Sequence, residues 1–167
     1  MTTSYKTIPS PVGLLTLVAS QKGLAAILWQ NDRPERVSIV LGSPDEQHPV
    51  LLETQQQLKE YFAGKRKTFT LPLDFIGTDF QKQVWQALLT IPYGQTRTYG
   101  EIAQQLGNPQ AVRAVGGAAN RNPISIVAPC HRVVGASGKL VGFAGGLIHK
   151  NRLLRLEGAI AQTSLWE

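Results

Sequence analysis

The 167-residue sequence predicts an α/β N-terminal domain, a small antiparallel sheet with a helix, followed by a mostly helical domain built on a helix-turn-helix. Three observations carry this. Alternating apolar runs separated by a polar turn fill the first 30 residues. The texture changes to capped, helix-period segments after a Pro-interrupted extended stretch near residue 75. Two of those helices are then separated by a three-residue turn.

In chain order, Leu14–Ala19 and Leu24–Trp29 read as a hairpin around Ser20-Gln21-Lys22-Gly23, and Arg36–Leu41 as a third strand. Val50, Leu51, Leu52, Leu58, Tyr61 and Phe62 have helical spacing that stops at Gly64. The Lys65-Arg66-Lys67 cluster fits a solvated turn better than a phosphate site. Leu71–Phe75 is extended, which places the domains at 1–77 and 78–167. Thr78 or Asp79 can cap a helix over Phe80–Thr90 with Phe80, Val84, Trp85, Leu88 and Leu89 on one face. Thr98 with Glu101 forms a capping box for a helix through Leu106, and Gly107-Asn108-Pro109 turns into another helix starting near Gln110. That second helix carries Ala111, Ala114, Gly116, Gly117, Ala118 and Ala119 with Arg113 and Arg121. So little bulk permits close packing against a neighbour or close approach to a groove of DNA. Lys139–Val141 reads as a short strand, Gly142–Gly146 as a loop without a phosphate fingerprint, Leu147–Glu157 as an amphipathic helix, and 159–167 as a loose tail.

Bulk properties narrow the function. Apolar residues make up 43% of the chain, enough for a core, and there is neither a signal-length nor a membrane-length apolar run. A cytosolic protein, nuclear in a eukaryote, is expected. One cysteine excludes an internal disulfide, and neither a metal nor another cofactor is expected. Residues 1–75 hold 8 Lys+Arg against 7 Asp+Glu, whereas 76–167 hold 9 against 4. The basic second half suits an anionic partner such as nucleic acid.

The lone cysteine, Cys130, lies in Ile126-Val127-Ala128-Pro129-Cys130-His131-Arg132-Val133-Val134. A single cysteine is more often a small buried hydrophobe than a reagent, but an imidazole and a guanidinium beside it could both favour the thiolate. His131 is the nearest base. On an extended strand, neighbours point to opposite faces, so direct contact with Cys130 requires a kink or a bridging water. Of the acidic residues in the second half, Glu101 is taken as a cap and Glu167 is on the tail, which leaves Glu157 as the better candidate to orient His131.

Residues 122–134, Asn-Pro-Ile-Ser-Ile-Val-Ala-Pro-Cys-His-Arg-Val-Val, closely resemble the active-site signature of the O6-alkylguanine-DNA alkyltransferases. Thr98–Ala103, Ala111–Gly116, Gly145–Leu147 and Leu153–Gly158 follow in that family's order and spacing. The resemblance covers 76–167 strongly and the first part more loosely. It implies a ribonuclease H-like first domain and a winged helix-turn-helix second domain. It further implies irreversible transfer of an alkyl group from O6-alkylguanine, and from O4-alkylthymine, in double-stranded DNA. Cys130 would be the acceptor, His131 the base acting through water, Glu157 its orienter, and Asn122 the organiser of the turn. Tyr99 would donate toward the leaving guanine, and Arg113 would fill the stack after the nucleotide flips out. Ala114, Gly116, Ala119 and Arg121 would share the minor-groove face with Arg113 and Tyr99. Backbone around Val133 and the loop with Phe143 and Ala144 would line the base pocket. Phe143 and Ala144 depart from the Tyr often, and the Ser sometimes, found there, which bears on bulky adducts. The resemblance implies a monomer able to cluster on DNA, without membrane association. Two rivals differ in outcome: an alkyltransferase-like binding module, in which another residue replaces the cysteine, and a thiol hydrolase turning over an acyl substrate.

Overall fold

The computed structural model describes residues 2–138, 140 and 142–160. The chain divides into two compact units. One runs to residue 76 and takes in Pro123–Ser125; the other holds Gly77–Asn122 and the chain from Ile126 onward.

The first unit is a meander of β1 (Ser4–Ile8), β2 (Leu15–Ala19) and β3 (Leu24–Trp29), covered by α1 (Pro49–Phe62). The hairpin pairs Leu15 with Trp29 and Leu17 with Ile27, and β1 pairs antiparallel with the other edge of β2. Leu15, Leu17, Val18, Leu24 and Ile27 are wholly buried, so β2 and β3 read as nearly continuous apolar runs. Leu51, Leu58 and Tyr61 form the buried stripe of α1. Pro123–Ser125 joins this unit through the Ile27 N–H, which donates to the Pro123 carbonyl at 2.8 Å, and the Trp29 indole, which donates to Ser125 Oγ at 3.1 Å.

Arg36–Leu41 is not a strand. The Arg36 guanidinium forks onto both Asp32 oxygens at 2.6 Å, and Asp32 Oδ2 also accepts the Trp29 N–H. These local bonds hold the segment as a loop. The fourth strand is instead β4 (Ser43–Pro44), which pairs parallel to β1, so the sheet is mixed, in the order β3-β2-β1-β4.

The second unit carries α2 (Asp79–Leu88), β5 (Arg97–Thr98), α3 (Tyr99–Gln105), α4 (Val112–Asn120), β6 (Val133–Val134) and α5 (Leu147–Leu156). Thr78 rather than Asp79 caps α2, in a box with Gln81. Thr98 and Glu101 form the expected box on α3. Gly107, at φ 77°, ends α3 with the Asn108 N–H returning to the Ala103 carbonyl. The helix-turn-helix is thus α3 and α4, and α2 packs across both. Trp85, 2% exposed, donates its indole N–H to the Ala118 carbonyl at 2.8 Å and locks α2 to α4. β5 and β6 pair parallel. The strand expected at 139–141 and most of the tail fall on residues 139, 141 and 161–167, outside the described residues. Among the described residues, no helix is long and apolar enough to cross a membrane.

Since α3 is only seven residues long, its start depends on its cap. Thr98→Ala is expected to cost about 1 kcal/mol of unfolding free energy in a urea titration, and Thr98→Ser to restore most of it. An unchanged midpoint would show that the box contributes nothing.

Candidate active site

The residues around Cys130 do not form the extended strand that the β-branched flanks suggest. Pro129, at φ −82° and ψ 68°, is the centre of an inverse γ-turn in which the Cys130 N–H donates to the Ala128 carbonyl at 2.8 Å. Cys130–Arg132 then makes one 3-10 turn before β6. Two features hold this bend. Asn122 Nδ2, wholly buried, donates to the same Ala128 carbonyl at 2.7 Å. Ile126 has φ 74°, a conformation that costs a β-branched residue on the order of 1–3 kcal/mol and persists only where its surroundings enforce it.

The kink turns Cys130 to a cavity of about 110 Å³ lined by Tyr99, Gly116, Ala119, Asn120, Gly142, Phe143 and Ala144. His131 lies behind it, without solvent exposure. Its Nε2 is 2.7 Å from Glu157 Oε2. An ionised carboxylate only accepts, so Nε2 carries the proton and Nδ1 is left with a lone pair. Nδ1 is buried and has no hydrogen-bond partner among the described residues. Glu157 follows the last turn of α5 as its C-cap, and Arg132 reaches it as well, with Nε on Oε1 at 2.7 Å and Nη2 on Oε2 at 3.1 Å. Arg132 Nη1 donates to the Ile91 carbonyl at 2.6 Å.

The electrostatics follow from this packing. Burial pushes the Glu157 carboxyl up, but the combined pull of His131 and Arg132 is larger and holds it at about 2. Burial lowers the His131 pKa, against the opposing effect of Glu157, so the imidazole is neutral near pH 7. Tyr99 is pushed up, first by burial and then by Cys130, which keeps its hydroxyl a hydrogen-bond donor. Lys150 is fully buried on α5, donates to the Val133 carbonyl at 2.7 Å, and lies 5.9 Å from the Phe143 ring centroid. Burial lowers it to about 8, and Cys130 pulls the other way.

Of the residues expected from sequence, Cys130, Tyr99, Gly116, Ala119, Phe143 and Ala144 meet at the cavity. His131, Glu157 and Asn122 stand behind it as a buried layer. Val133 is wholly buried, with its carbonyl turned to Lys150. Arg113, Ala114 and Arg121 are exposed on and just beyond α4. Sequence reasoning missed Asn120 and Gly142 in the lining, and it missed Lys150. It cast Arg132 as a cation for the thiolate, whereas the guanidinium is committed to Glu157 and Ile91, and Lys150 is the cation coupled to Cys130. A signal for Lys150 existed: it precedes Leu153 and Leu154 by three and four residues, on the apolar stripe. Among the described residues, no three His, Cys, Asp or Glu side chains gather as a metal site requires.

Residues 79–159 match the DNA-binding domain of 6-O-methylguanine DNA methyltransferase, and residues 3–75 match its ribonuclease-like domain. The methylated-DNA–protein-cysteine methyltransferase of Methanosarcina acetivorans is 48% identical over 93% of this chain and 98% of its own. That of Mycobacterium bovis is 50% identical over 96% of each. Among solved structures, Mycobacterium tuberculosis OGT in complex with DNA superposes with a TM-score of 0.84, at 49% identity over 93% of each chain. With both domain models matched and relatives of this identity covering nearly the whole length, the chain belongs to the 6-O-methylguanine DNA methyltransferase family.

Proposed function

We propose that this protein repairs alkylated DNA by moving the alkyl group of O6-alkylguanine onto Cys130. The observation that carries the reading is the nucleophile's placement: Cys130 lines a small cavity edged by helix α4, with a neutral base held behind it. Relatives at about half identity are named for methyl transfer from DNA to a protein cysteine, and one in the same identity range was solved on DNA.

The step is a displacement at saturated carbon. The Cys130 proton passes through a water to His131 Nδ1, the sulfur forms a bond to the alkyl carbon, and the C–O6 bond breaks with its electron pair moving into the guanine ring. Glu157 fixes the orientation of His131, and Asn122 fixes the turn. Lys150 adds a positive charge that favours the thiolate. The Tyr99 hydroxyl donates toward the guanine as charge develops there, an effect worth roughly 10²–10³ in rate for a well-placed donor. Backbone near Val133 and the Phe143–Ala144 loop read the base edge. A thioether has no leaving group that restores the thiol, so each molecule acts once. O4-alkylthymine presents a similar substituent and would be a second substrate.

The base inside a duplex is out of reach, so the nucleotide must be flipped at a cost of a few kcal/mol. Helix α4 suits that task. Gly116 and Ala119 face the cavity, but Ala114 and Gly117 are exposed, and a methyl group added at Gly117 would meet nothing within 4 Å. Internal packing therefore does not require the bareness of that face, whereas approach to a minor groove does. Arg113, exposed on the same helix, would enter the stack in place of the flipped nucleotide, with Arg121 close to the backbone phosphates. The chemistry then belongs to residues 78–167, with 1–77 as a separate domain, in a protein that binds as a monomer and can cluster along DNA.

Incubation with a duplex bearing one O6-methylguanine is expected to add one methyl to the Cys130 peptide, at one equivalent per protein, by mass spectrometry. No gain, or repeated turnover, would sink the reading. Arg113→Ala is expected to slow repair of the duplex at least tenfold, about 1.4 kcal/mol of lost transition-state stabilisation, with little change toward free O6-methylguanine base. Equal losses on both substrates would rule out the intercalating role.

A further inference from the structure

Among the described residues Glu157 accepts three hydrogen bonds, and only one comes from His131. Arg132 supplies the other two, at 2.7 and 3.1 Å, and anchors its remaining nitrogen on the Ile91 carbonyl at 2.6 Å. The Tyr93 ring lies 5.7 Å from the guanidinium carbon. Arg132 is 6% exposed and is absent from the cavity lining, so it contacts neither the nucleophile's cavity nor a substrate placed there. Its role must run through Glu157. A buried carboxylate facing a histidine alone would stabilise imidazolium, and an imidazolium cannot take the proton of a thiol. A guanidinium on the same carboxylate changes that balance.

We propose that Arg132 is a positioning residue for the transfer: by forking onto Glu157 it fixes the carboxylate plane and balances its charge, so that Glu157 orients His131 without charging it. The inference rests on His131 being the base for Cys130. The charged groups acting on His131 are Lys150 from α5, Glu157 at its C-cap, and Arg132 from the same 3-10 turn, in which Cys130 precedes His131. Tyr93 borders the ion pair. Helix α2 also packs on the turn, and its titratable residues, Asp79 and Lys82, are exposed in its first turn. Burial lowers the His131 pKa most, Glu157 raises it, and Arg132 and Lys150 lower it further. Glu157, held at about 2, stays ionised throughout the working range. Removing Arg132 therefore takes away one of the effects that oppose Glu157, leaving burial and Lys150 against it. The His131 pKa rises, its neutral fraction falls on the acid side, and the acid limb of the rate profile moves to higher pH.

Two measurements decide this. In the first, nitrogen NMR of wild-type His131 is expected to show the neutral Nε2–H form at pH 7; an imidazolium signal there overturns the proposal. In the second, methyl transfer from a saturating O6-methylguanine duplex is timed in single turnover across pH. Arg132→Met is expected to shift the acid limb up by about one unit, a tenfold loss of neutral base below it. Arg132→Lys, which keeps the charge without the fork, is expected to react more slowly with the limb unmoved. An unmoved limb in the Met variant, or an equal shift in both, overturns the proposal. If the Met variant does not fold, because Glu157 is left buried and uncompensated, the wild-type spectrum and the Lys profile still decide. Failure of the wild type to methylate Cys130 would strike the transfer reading, while the charge state of His131 separately decides the role of Arg132.

Discussion

The buried Glu157 carboxylate is the interaction on which the site depends. Taking an ionised carboxyl out of water costs several kcal/mol unless charge-assisted hydrogen bonds replace the lost solvation. Among the described residues His131 and Arg132 supply three such bonds. Because Glu157 caps α5 and both donors sit on the 3-10 turn, the same bonds that satisfy the charge also fasten α5 to the segment bearing Cys130. Orientation of the His131 ring and local architecture therefore share one set of contacts.

That anchor would be of little use on a straight strand. In an extended chain Cys130 and His131 would face opposite ways, with only one of them near the cavity. The inverse γ-turn at Pro129, the Asn122 bond to Ala128 and the left-handed Ile126 together bend the chain. The bend sets the sulfur at the cavity and the imidazole in the buried layer directly behind it. Strain at Ile126 is tolerated because its side chain is 1% exposed and its neighbours are wholly buried or nearly so, so relaxing the backbone would disturb the core. Local conformational cost is exchanged for a fixed geometry at the reacting atom.

The helical half of the fold was legible because its signals are local. Thr78 and Thr98 announce their helices with box partners three residues on, and Gly107 closes α3 where its φ is positive. The hairpin was legible for the same reason. Strand β4 was not: it is two residues long, includes Pro44, and exists through parallel pairing with a segment about 40 residues earlier, which no local pattern encodes. Arg36–Leu41 misled because its alternation looks strand-like while a side-chain pair, Arg36 with Asp32, decides its path. At the site, Cys130, His131 and Glu157 were legible as a group that the fold brings together, but the guanidinium next in sequence pointed to the wrong partner. Adjacency in a chain that turns every three residues does not predict which group a long side chain reaches. Lys150 was hidden differently, as a charge on an apolar stripe, where a long side chain would ordinarily be expected to reach for water.

A cysteine backed by histidine and glutamate is not by itself diagnostic of alkyl transfer, since thiol hydrolases use the same groups. The distinction lies in where charge develops. Acyl transfer builds an oxyanion next to the nucleophile and commonly stabilises it with the nucleophile's own backbone N–H. In this chain that N–H is committed to the Ala128 carbonyl at 2.8 Å, held there by the turn that exposes the sulfur. Displacement at an alkyl carbon makes no oxyanion beside the sulfur and needs no such donor. Its charge grows on the departing ring, across the cavity, where the hydroxyl of Tyr99 is kept protonated by burial. The hydrogen bond that shapes the turn thus withdraws an acyl-transfer donor and leaves alkyl displacement unimpaired. The local geometry around Cys130, His131 and Glu157 thereby suits the proposed alkyl transfer better than acyl transfer.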